Sequence, residues 1–194
     1  MALRSWIRRL AVSGGLVLGA CTGGTDMTLT EWDFSYPLTP IDLGSKVKDF
    51  RQPEGPLDLK ITFPSGRVVQ GTWGRGARAE ALATSDAEPQ PVDSVVLLES
   101  SVTDIEALRA SADRFVEAWG PARGTEGDLQ DFADRTAEIM ETDGTNLVKA
   151  YPVGRNVQRF EADQQDGISP SWGARFNGDV VTIRVVLKFE PAAG

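Results

Sequence analysis

The 194-residue chain contains no histidine and a single cysteine, Cys21. The missing imidazole removes the Ser-His-Asp triad, the Cys-His dyad and every histidine metal ligand. A lone cysteine has no partner for a disulfide within the chain, so stability has to come from packing. The apolar run at residues 10–20 has eleven residues, three of them glycine. A membrane-spanning helix needs roughly 20 apolar residues, and glycine weakens a helix further. What chemistry survives is narrow: carboxylate pairs, Ser-Lys arrangements, and oxygen-ligand sites for calcium or magnesium.

The N-terminus carries the most specific pattern. Residues 1–20 hold Arg4, Arg8 and Arg9 and no acidic residue, followed by the short apolar run. That is the charged and apolar region of a secretory signal peptide. Leu18-Gly19-Ala20-Cys21 resembles the lipobox of bacterial lipoproteins, with Leu at −3, small residues at −2 and −1, and Cys at +1. The resemblance covers the leader only. It implies cleavage between Ala20 and Cys21, a thioether from the Cys21 sulfur to diacylglycerol, and acylation (palmitate, for example) of the new amine. Two or more acyl chains anchor stably where one binds only marginally. A modified Cys21 also leaves no thiol for catalysis, zinc-thiolate or iron–sulfur chemistry. Arg8-Arg9 hints at twin-arginine export without the full flanking consensus, so the export route stays open. Thr22 follows the cysteine where an Asp would mark inner-membrane retention. The expected location is therefore the extracytoplasmic face of a cell membrane, with the outer membrane open if the organism has one.

Cleavage would leave 174 residues, enough for one domain with a substantial core. Loss of the three leader arginines leaves 17 basic against 28 acidic residues, a charge of −11. Such a charge disfavours nucleic acid and anionic lipid surfaces as partners. Residues 21–26 read as the lipidated cysteine with a short polar tether, and residues 27–194 as one domain.

Hydrophobic periodicity outlines that domain. Residues 27–36 read as a strand, and residues 37–56 mostly as loop. Leu57, Leu59, Ile61 and Phe63 alternate with polar residues, the pattern of a half-buried strand. Pro64-Ser65-Gly66-Arg67 is a turn, and residues 68–73 return as a hairpin arm. Residues 74–91 read as a mobile excursion. Val95-Val96-Leu97-Leu98 reads as a strand buried on both faces. Thr103 and Glu106 form a capping box ahead of a helix whose apolar side carries Ile105, Leu108, Ala112, Phe115, Val116 and Trp119. Gly120-Pro121 ends it. A second helix spans about residues 128–142 and ends at Gly144. Weak strand signals follow at 146–151 and 157–162. Residues 168–176 and 180–190 form a hairpin about Asn177-Gly178, a preferred type I′ pair. The order predicts an α+β fold, a largely antiparallel sheet with two consecutive helices packed on one face.

Candidate sites are weak. Gly71, Gly74 and Gly76 with Arg75 and Arg78 superficially suggest a phosphate loop, but the lysine and the βαβ context are missing. Asp163, Asp166 and Gly167, like Glu141, Asp143 and Asn146, place oxygen ligands near a glycine without the full calcium-loop spacing. They read as acidic turns. Asp104, Glu106, Asp113 and Glu117 read as a solvated helix face. Trp32, Trp73, Trp119 and Trp172 read as packing, although a cavity lined by the last three would suit an apolar ligand. No cofactor, metal or catalytic residue emerges. The expected function is a membrane-anchored, non-catalytic envelope module that binds a protein or envelope component. The alternatives are a carrier of an apolar ligand and a carboxylate-based hydrolase of envelope glycans.

Overall fold

The computed structural model describes residues 29–40, 42–43, 57–73, 77–83, 90–102, 105–143, 157–177 and 180–193. The expectations for Ala20, Cys21, Thr103, Asp104, Gly144 and residues 146–151 lie outside them.

The alternating segment at 57–63 forms a strand because every second side chain can be buried: Leu59, Ile61 and Phe63 are fully buried. Strand β1 (Leu29–Asp33) pairs parallel with β2 (Leu57–Thr62), which pairs antiparallel with β3 (Val68–Trp73) in a three-stranded sheet. The remaining strands build a second sheet of seven. These are β4 (Arg78–Leu82), β5 (Ser94–Val102), β6 (Ala122–Gly124), β7 (Gly127–Asp128), β8 (Val157–Ala162), β9 (Ile168–Asn177) and β10 (Val180–Phe189). Their order is β4-β5-β10-β9-β8-β6-β7, antiparallel at every pairing. The fold is α+β and largely antiparallel, divided between two sheets where the sequence suggested one.

Two helices lie between β5 and β8 in sequence. α1 (Ile105–Trp119) buries Leu108, Ala112, Phe115 and Trp119, a stripe at helical spacing. Gly120 ends it with a φ of +80°, its N–H donating to the Val116 carbonyl at 2.8 Å. That left-handed cap suits glycine. α2 (Leu129–Asp143) buries Leu129, Phe132, Ala133 and Met140, with Thr136 and Ala137 completing the stripe. Both helices pack on the same side of the large sheet. Trp172 of β9 donates its indole N–H to Ser111 of α1 at 3.1 Å, and Phe132 of α2 packs on Phe160, Trp172 and Phe176. The small sheet joins the same core through Phe34 and Phe63, whose ring centres both lie 5.1 Å from that of Phe189 at the end of β10.

Two expectations need correction, and one element was not anticipated. Residues 74–91 are not simply an excursion, since β4 lies within them. Its inward positions are Ala79 and Ala81, opposite Leu97 and Val95. Alanines carry little alternation signal, and the pairing with β5 makes the strand. Residues 122–128 form the short β6–β7 hairpin, too brief for any periodicity. In the final hairpin Asn177 belongs to the strand and pairs with Val180, where the sequence placed it in the turn.

Candidate binding face

With the helices covering one side of the seven-stranded sheet, alternate residues of its strands point to the other. The register places five of them in one line across five strands. Arg78 (β4) faces Leu98 (β5), Leu98 faces Arg184 (β10), Arg184 faces Gly173 (β9), and Gly173 faces Arg159 (β8). Neighbouring strands lie about 4.8 Å apart, so arginines on alternate strands recur at roughly 10 Å. The adjacent line runs Glu80, Val96, Val186, Ser171 and Glu161. Arg175 and Lys188 flank these two lines from β9 and β10.

The surface is a trough of about 700 Å³. Val96 and Ser171 are buried at its floor, and Leu98 and Val186 are half-buried. Gly173 leaves a gap in the wall between Arg184 and Arg159, because no side chain stands between them. Five cations and one acid, Glu80, line this trough in a chain whose overall charge is −8. Arg78 pairs with Glu80 at 3.5 Å and Arg159 with the exposed Glu161 at 2.9 Å. Arg175, Arg184 and Lys188 are exposed and make no ion pair among the described residues. The aromatic residues of β8 and β9 all point the other way: Phe160, Trp172 and Phe176 are buried against α2. Among the described residues the outer face therefore offers cations, aliphatic groups and the small polar Ser171 and Thr182, with no exposed aromatic platform.

The residues singled out by sequence are scattered. Of the glycine-rich segment, Gly71 sits in β3 against the Trp73 ring and Arg78 sits in β4; residues 74–76 lie outside the described set. The 163–167 turn is a structural clasp. Asp166 (φ +51°) pairs with Arg67 at 3.1 Å, and Gln165 donates to the Trp119 carbonyl at 2.6 Å. Glu141 and Asp143 end α2, while Asn146 is outside the described residues. Glu106, Asp113 and Glu117 are exposed on α1. Among the described residues no group of three acids or Cys could hold a metal ion. Trp119 and Trp172 are buried in the core, and Trp32 and Trp73 are half-buried against it.

The trough was not found from sequence because it needs the strand order. Arg184 and Lys188 are readable as the polar side of β10, but their alignment with Arg159 and Arg78 comes from pairing. Net charge pointed away from it, since a total hides local segregation. The chain matches no protein-family description, no curated protein and no solved structure.

Proposed function

We propose that this chain is a membrane-tethered binding module of the bacterial cell envelope. The lipid on Cys21 holds it at the extracytoplasmic surface, and the outer face of the seven-stranded sheet holds its partner. The observation that carries the reading is the cationic trough: five basic side chains gathered over an aliphatic floor in an otherwise acidic protein. Uncompensated like charges repel, so collecting Arg175, Arg184 and Lys188 on one face has a cost that a bound anionic partner would offset. Tethering raises the local concentration of the face at the membrane, where even modest affinity gives occupancy.

Complementation of a deletion strain tests both halves. The wild-type chain should rescue. Arg184→Glu/Lys188→Glu, made at equal abundance and with an equal melting temperature, should not. Cys21→Ser should accumulate as an unprocessed, unlipidated precursor and should also fail. Mass spectrometry showing an unmodified Cys21 or a mature end elsewhere would remove the anchor. Full rescue by the charge-reversed face would remove the binding site.

A further inference from the structure

We infer that the trough receives an acidic amphipathic helix of a partner protein, lying across the strands with its carboxylates on the arginine line. This rests on the binding reading above and names the chemistry of the partner. The spacing is the first argument. Arg78, Arg184 and Arg159 stand two strand-widths apart along one register line, about 10 Å at each step. Residues i and i+7 of an α-helix share a face and lie about 10.5 Å apart. Acids two turns apart on one helix therefore meet successive arginines.

The chemistry of the floor is the second argument. Between the cations lie the half-buried Leu98 and Val186, over the buried Val96, and Val157 at one end is 59 % exposed. Aliphatic side chains flanking the acids of an amphipathic helix would cover them, the usual helix-in-groove arrangement. Sugars bind best by stacking on aromatic rings, and every aromatic side chain of β8 and β9 points to the helices. A bilayer is flat, whereas this surface is a trough. Arginine rather than lysine supplies the line, and its planar fork pairs with a carboxylate by two parallel hydrogen bonds. The two outer arginines hold Glu80 and Glu161, so incoming carboxylates would exchange partners there. Arg184 at the centre has no ion pair among the described residues.

Fluorescence anisotropy with the full chain tests the inference. The probe is a labelled helical peptide with glutamates two turns apart and leucines beside them; a scrambled peptide of the same composition is its control. The helical peptide should bind saturably and more weakly as salt is raised. Arg184→Glu/Lys188→Glu should weaken it by about tenfold or more, while Arg114→Gln on α1 leaves binding unchanged. Failure of the helical peptide to bind, or equal binding of the scrambled one, overturns the inference. Polyphosphate or phosphatidylglycerol vesicles binding through the same cations in its place would overturn the helix yet leave the binding reading standing. Salt-sensitive dimers that vanish in the charge-reversed variant would give the face to a second copy and also overturn it. If no probe binds and the charge-reversed chain still rescues the deletion strain, both readings fall.

Discussion

The Arg67 guanidinium lies 4.2 Å from the centre of the Trp119 ring, so the turn of the β2–β3 hairpin is clamped to the end of α1. The same guanidinium donates to the Ala118 carbonyl at 2.9 Å, to Gln165 at 3.1 Å and to Asp166 at 3.1 Å. α1 has no basic residue in its own last turn. Arg67, contributed from the small sheet, supplies the positive charge and donors that the exposed carbonyls at a helix C-terminus favour.

Removing that clamp should be costly. Arg67→Ala is expected to lower unfolding free energy by about 2 kcal/mol, combining the cation–π contact with charge-assisted hydrogen bonds. Arg67→Lys should recover only part, because an ammonium cannot span the helix end and the 165–166 turn together. Urea unfolding measures both. An unchanged midpoint in Arg67→Ala would show that the small sheet is held by its buried apolar contacts without the clamp.

Ser111→Ala should cost about 1–2 kcal/mol, because it strands the buried Trp172 indole N–H. Trp172→Phe removes the donor instead, at the cost of a void in the Phe132–Phe160 cluster. In a double-mutant cycle the pair should show a coupling of about 1 kcal/mol. A coupling near zero would mean the two groups contribute independently.

Gly124→Ala should destabilise by about 3 kcal/mol, since overpacking next to backbone has little room to relax. A Cβ at Gly124 would run into the Arg159 carbonyl and lie 3.0 Å from the Phe160 ring. Both neighbours belong to β8, which pairs with β6 at this point. Thermal unfolding of the variant, with amide exchange at Phe160, reads the damage. Native exchange and an unchanged melt would rule out this close approach.

The carboxyl of Asp33 is held below its ordinary value of 3.8 by the Ser35 hydroxyl and then the Ser35 backbone N–H, with Lys60 assisting. Its folded-state pKa is depressed, so the stabilisation is present above the unfolded value and is lost as pH falls through the folded one. Ser35→Ala removes the hydroxyl and keeps the N–H. NMR titration should then show the Asp33 pKa moving up toward 3.8 without reaching it. A pKa that stays put would mean the backbone bond alone sets it.

Most of the architecture follows from local sequence, because a side chain that must leave water imposes its own period. Leu59, Ile61 and Phe63 could only be buried together on a strand, and Leu108, Ala112, Phe115 and Trp119 only on a helix. Gly120 ends that helix for a reason carried by one residue. Elements made by pairing rather than by burial were not legible. β4 has alanines where a strand shows bulk, and β6 and β7 are too short for a period to form. The trough lies further out of reach. Arg78, Arg159 and Arg184 are separated by as many as 106 residues, and each alone is an ordinary polar residue on the solvent side of a strand. They become one surface only because β5 and β9 lie between their strands β4, β10 and β8 in a register that aligns them. Sequence decided which residues face water, since that depends on each side chain's own hydration. Only the tertiary structure decided which of those residues face one another, because strand order is set by long-range pairing.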